Sequence, residues 1–77
     1  MVRDVAGAEA QRRKAEALER DGLYGEAVAA YREAVKLDPV DASAHVRLGV
    51  ALRGAGDDEE ANRAFQAALT LQDHAQG

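Results

Sequence analysis

Apolar residues return along this chain at intervals of three and four. Leu48, Ala51, Leu52 and Ala55 fall on one face of a helix, and Ala27, Val28, Tyr31, Ala34 and Val35 form a second such face further back. The first stretch carries a thinner stripe of Ala8, Ala15 and Leu18, extended by Val5. Between these stretches stand residues that end helices. Gly22 and Gly56 sit where adjacent helices must turn, and glycine accepts the positive φ found there. Pro39 stops the second helix, and Asp41 is placed to cap the third. Asp57 followed by Glu60 forms a capping box that opens the fourth, whereas no such signal precedes the second. The pattern predicts helices over 5–21, 24–37, 42–54 and 57–71, and their short turns make neighbours antiparallel. The expected fold is all-α.

The stripes repeat. Residues 8–41 and 42–75 align without a gap, with identity at Gly22 and Gly56, Glu26 and Glu60, Ala27 and Ala61, Ala34 and Ala68, and Leu37 and Leu71. Tyr31 pairs with Phe65. Small residues at Gly49, Ala27 and Ala61 let helix backbones approach closely. These positions resemble the tetratricopeptide repeat family, whose pattern is W-x2-L-G-x2-Y, then A-x3-F, then P. The second copy offers His45, Leu48, Gly49, Leu52, Ala61 and Phe65, with Asp73 at the proline position; the first offers Gln11, Lys14, Ala15, Leu18, Ala27, Tyr31 and Pro39. The resemblance spans residues 8 to about 73. It implies one domain over 1–77, built from two antiparallel helix-turn-helix pairs stacked as a short right-handed α-solenoid of four helices.

The copies are unequal. Gln11 and Lys14 stand where the family usually buries large apolar side chains, so the first helix is expected to be weakly anchored, or to serve as an end cap with a polar face. At the other end, the family usually adds a helix that covers the last pair, and here only HAQG follows Asp73. Leu69 and Leu71 are then expected to be exposed, and with Phe65 they make a candidate self-association surface. Solenoids generally need about three repeats for stability. Two repeats therefore lead us to expect a homo-oligomer, or a piece of a longer array.

Composition narrows the reading. Half of the apolar residues are alanine, isoleucine and tryptophan are absent, and closely packed helices are favoured over sheet. With no cysteine there is neither a disulfide nor a thiolate site. The net charge of −4 argues against a nucleic-acid binder. Basic groups slightly outnumber acidic ones before residue 21, and acidic ones dominate afterwards. Such asymmetry supports either head-to-tail contact between copies or simple solvation of the surface. No continuous apolar run marks a signal peptide or a membrane span, so a cytoplasmic location is expected.

No arrangement for catalysis emerges. Ser43 and Thr70 are the only aliphatic hydroxyls, and neither lies in a nucleophile-elbow setting. His45 and His74 lack metal-ligand spacing, and His45 reads as a partly buried structural residue. The acidic run at 57–60 lacks a calcium-loop pattern and suits a helix N-terminus. Glycines 49, 54 and 56 lack the strand and lysine of a phosphate loop. We expect no enzyme, cofactor or metal.

The expected function is binding to a protein or peptide partner. In the family the first helix of each pair lines a concave groove. Carried onto this chain, that face holds Glu9, Arg12, Arg13, Glu16, Glu19 and Arg20, then Ser43, Val46, Arg47, Val50 and Arg53. Some members grip a partner's C-terminal carboxylate with a basic clamp, but Glu16 stands at the asparagine position and a third repeat is missing. The candidate groove is Arg12, Arg13, Glu16, Val46, Arg47, Val50 and Arg53: its arginines attract an acidic segment and its valines contact apolar side chains. The competing reading pairs those arginines with Glu9, Glu16 and Glu19 along the helix face.

Overall fold

The computed structural model describes residues 3–76, with side chains described through Asp73. His74, considered above for metal ligation, lies outside the described side chains. Four helices follow one another: α1 (Val5–Arg20), α2 (Tyr24–Leu37), α3 (Ala42–Gly54) and α4 (Asp58–Gln76). Each packs principally on its neighbour in the chain, α1 on α2, α2 on α3 and α3 on α4. The chain is a slab of 37 × 27 × 15 Å.

Local chemistry sets the boundaries. Gly22 (φ 78°) and Gly56 (φ 90°) both adopt the left-handed conformation. Around Gly22, its amide donates to the Glu19 carbonyl at 3.0 Å and the Leu23 amide to Leu18 at 2.9 Å. Thirty-four residues later Gly56 donates to Arg53 at 3.0 Å and Asp57 to Leu52 at 2.9 Å. The two turns are thus one hydrogen-bond motif used twice, and it satisfies the carbonyls that a helix end leaves open. A Cβ at either glycine would meet nothing within 4 Å, so the requirement is conformational and not steric.

Helix starts differ more. The Asp41 carboxylate accepts from the Ser43 amide at 3.1 Å, and Asp57 from Glu60 at 3.2 Å, as the sequence predicts. The box at α4 is only half closed, because the Glu60 side chain pairs with Arg32 of α2 and does not turn back to Asp57. Asp4, which the pattern did not single out, caps α1 through the Gly7 amide at 2.9 Å. Leu23 precedes α2 without a side-chain cap. At the far end, α4 runs five residues past the expected stop at 71. Asp73 replaces the proline that halts α2, so nothing removes the next amide donors and the helix continues.

The core is a single cluster. Ala15, Ala27, Val28, Ala30, Tyr31, Leu48, Ala51, Leu52, Ala61 and Ala64 are buried together, with Leu18, Val35 and Phe65 packed on them. Tyr31 is the one large side chain among the described residues that is fully buried. Most of the remainder is alanine, which gives close helix approach with little side-chain entropy lost. Gly49 and Gly54 continue that logic. A Cβ on Gly49 would lie 2.5 Å from the Phe65 ring, and one on Gly54 would lie 2.5 Å from the Tyr24 ring.

The thin stripe of α1 is supplemented by polar ties. Ala8 and Ala15 are buried, but Val5 is 53% exposed and does not extend the stripe as expected. That end of α1 is closed instead by Arg3, which donates to both oxygens of buried Asp38 at 2.7 and 3.1 Å. The Asp4 amide also donates to the Leu37 carbonyl at 2.8 Å. The Arg3 bonds hold the Asp38 carboxyl below the usual carboxylate range.

Candidate interaction surface

The junction between the repeats places α1 beside α3, and three charged contacts tie the helices together there and at α2. Arg12 approaches Asp41 at 3.6 Å, Arg47 approaches Glu16 at 3.5 Å, and Arg32 pairs with Glu60. Between α1 and α3 opens a shallow pocket of about 400 Å³ lined by Glu16, Glu19, Arg20 and Arg47. Tyr31 does not line it but holds one of the residues that do. The phenol, buried beneath α1, donates to a Glu19 carboxylate oxygen at 3.0 Å. Burial and that bond together push the Tyr31 hydroxyl up to about 12, so it stays protonated and remains a donor throughout the neutral range.

The seven residues of the candidate groove fall into three places. Arg12, Glu16 and Arg47 meet at the α1–α3 junction. Arg13 instead follows its own helix to Glu9, at 2.7 Å. Val46, Val50 and Arg53 share a stripe of α3 with Gly49, and Arg53 lies over the Phe65 ring at 5.2 Å from its centroid. That distance suits a cation–π contact. All four arginines are therefore engaged within the chain. Of the pairing expected along the helix face, Arg13–Glu9 forms; Arg47 reaches Glu16 from another helix, Arg12 reaches Asp41 and Arg53 lies over Phe65. Arg20, by contrast, makes no ion pair among the described residues.

The self-association candidates also separate. Leu69 is 54% exposed and Leu71 is half-buried, while Phe65 is packed against Gly49 in the second pair. Val46 and Val50 are exposed beside them, at 36% and 41%. His45 places Nε2 3.0 Å from the Pro39 carbonyl, a contact that makes Nε2 the protonated nitrogen and matches the structural role expected of it.

Periodicity alone does not reveal the Tyr31–Glu19 bond, because it depends on which α1 side chain overlies the ring. A signal existed nonetheless. Where the second copy has Phe65, the first has a tyrosine, and a buried hydroxyl demands a partner.

A model of the tetratricopeptide repeat matches residues 3–42 and, in an overlapping register, residues 12–76. No curated protein matches the chain.

Proposed function

Since this chain belongs to the tetratricopeptide repeat family, whose repeats mediate protein–protein interactions, we propose that it binds an extended or helical segment of a partner protein in the groove between α1 and α3. The observation that supports this reading is the open pocket lined by Glu16, Glu19, Arg20 and Arg47. It carries both signs of charge on rigid helices, and Tyr31 fixes one carboxylate from below. Because Arg12, Arg13, Arg47 and Arg53 are already engaged, we read the partner segment as bearing basic as well as acidic side chains, with Glu19 receiving the former and Arg20 the latter. The reading is of a binding module in the cytoplasm, without catalysis. No helix among the described residues is long and apolar enough to cross a membrane.

The test exchanges the two charges assigned to the partner while leaving Tyr31 an acceptor. Glu19→Gln keeps an acceptor for Tyr31, and Arg20→Glu alters an exposed side chain. With the wild-type chain immobilised, proteins captured from its own cell lysate are quantified by mass spectrometry and compared with those held by the double variant. Loss of capture by about tenfold is expected, the effect of removing roughly 1.4 kcal/mol of binding. Equal capture by a variant of unchanged helical content would sink the placement of the groove.

A second reading, self-assembly, is favoured by the exposure of Leu69 together with Val46 and Val50. It is compatible with the first, because those residues lie outside the pocket.

A further inference from the structure

We propose that two copies of this chain associate tail to tail about a two-fold axis, through the strip that Val46 and Val50 of α3 form with Phe65 and Leu69 of α4. This rests on the self-assembly reading and specifies its geometry. The strip follows from two placements. Phe65 lies against Gly49 and beneath Arg53. Because α3 and α4 are antiparallel, moving back from Gly49 to Val46 corresponds to moving forward from Phe65 to Leu69. Val46, Val50 and Leu69 are thereby neighbours on one face, and all three are exposed.

The repeat itself shows what a head-to-tail arrangement would require. In the first repeat the equivalent face, 34 residues earlier, is covered by α3 and closed by Arg12–Asp41, Glu16–Arg47 and Arg32–Glu60. Stacking a second copy in the same manner would set its α1 on the strip. The three closing pairs would become Val46 with Gly7, Val50 with Arg13, and Gln66 with Glu26. None is an ion pair. The place of buried Leu48 would be taken by Lys14, whose ammonium would have to leave water against valine and phenylalanine. The charge asymmetry in the sequence is thus not converted into head-to-tail contact.

Tail to tail, the chemistry closes. Apolar side chains meet apolar side chains, and a two-fold axis makes the contact self-complementary and finite. Asn62, Gln66, Leu69 and Asp73 recur at four, three and four along α4, so Asp73 lies on the same stripe as Leu69, at the opposite end of the strip from Arg53. Antiparallel pairing of α4 with its symmetry mate exchanges the two ends. Arg53 of each chain then faces Asp73 of the other.

The absence of cysteine from the sequence makes the geometry directly testable. Gln66 is exposed, and in the two-fold arrangement it lies near the axis. Oxidised Gln66→Cys is expected to cross-link to itself as a covalent dimer, because only a symmetric contact brings one position next to its own copy. Sedimentation of the wild-type chain from micromolar to millimolar concentration is expected to show a monomer–dimer equilibrium. Leu69→Glu should weaken the dimer at least about tenfold while retaining helical content. A wild-type monomer throughout would overturn the self-assembly reading and this arrangement with it. So would a monomer that loses a captured protein on Leu69→Glu, since the strip would then belong to a different partner. Disulfides forming between Gln66→Cys and Glu26→Cys chains, or species growing beyond the dimer, would establish head-to-tail stacking. A dimer in which Gln66→Cys stays reduced would overturn the two-fold geometry alone.

Discussion

In the first repeat the ring at position 31 is a tyrosine, buried with Ala15 in the common core, and its hydroxyl reaches up to Glu19. In the second repeat the ring at position 65 is a phenylalanine lying where any side chain on Gly49 would be, with Arg53 above it. The two turns correspond residue for residue, down to their hydrogen bonds. What differs is the means of closure. The first pair combines a thin alanine stripe with polar ties from Arg3, Arg12, Glu16 and Glu19; the second relies on a closer approach of helix to ring. A repeat fixes the path of the chain, and each copy is free to stabilise that path by its own chemistry.

Deleting the two rings should separate the repeats most strongly. Tyr31→Ala should cost about 4 kcal/mol, and the half-buried counterpart Phe65→Ala about 2 kcal/mol. A core of this size supplies only about 3–5 kcal/mol in all. Tyr31→Ala is therefore expected to be unfolded at room temperature by circular dichroism, and Phe65→Ala to fold with a lowered urea midpoint. Equal losses would show that the rings carry the same burden.

Adding a methyl group at Gly49 should come next. The first repeat already carries alanine there, as Ala15, yet in the second a Cβ would lie 2.5 Å from Phe65. Gly49→Ala is expected to destabilise by about 2 kcal/mol despite the better helix propensity of alanine. Restoring space with Phe65→Leu in the same chain should recover part of that loss in thermal denaturation.

The caps give smaller changes of opposite sign. Asp57→Ala removes the start signal of α4 and should cost about 1 kcal/mol. Leu23→Asp installs the corresponding signal before α2 and should gain about 1 kcal/mol. Denaturant midpoints would move in opposite directions. A loss at both positions would mean that Leu23 contributes more through its packing than a cap supplies.

The smallest effect lies on the acid side. Because the Arg3 bonds keep Asp38 below its ordinary range, near 3.9, the folded chain takes up that proton at lower pH than the unfolded chain does. The stability contributed by the pair is complete above that ordinary value and drains away as pH falls through the folded one. Gln72 stands at the corresponding place in the second repeat and has no proton to take up there. Asp38→Asn should lower stability at neutral pH and make the decline between about pH 5 and 2 shallower. An unchanged slope would remove the Arg3–Asp38 pair from the list of ties that hold the first repeat.

Much of the fold was legible because helical period and turn glycines are local signals. Ala27, Tyr31, Leu48 and Leu52 announce their faces, and Gly22 and Gly56 announce the turns, without knowledge of neighbours. The end of α4 was less visible, since the expected stop depended on a proline position that Asp73 occupies. The ties around α1 were invisible for a different reason. Arg3 meets Asp38 only because the start of one helix lies beside the end of the next, and Arg47 meets Glu16 only across the repeat junction. The family resemblance suggested a basic groove. In the assembled helices Arg12, Arg13 and Arg47 meet carboxylates of the same chain and Arg53 lies over Phe65.

Because each helix packs principally on the one next to it in the chain, assembly never has to wait for distant segments to find each other. Helical topologies of this kind fold in about microseconds to milliseconds. The same nearest-neighbour order allows an outer helix to detach while the inner two hold together, so amide exchange should protect α2 and α3 longest and release the outer helices first.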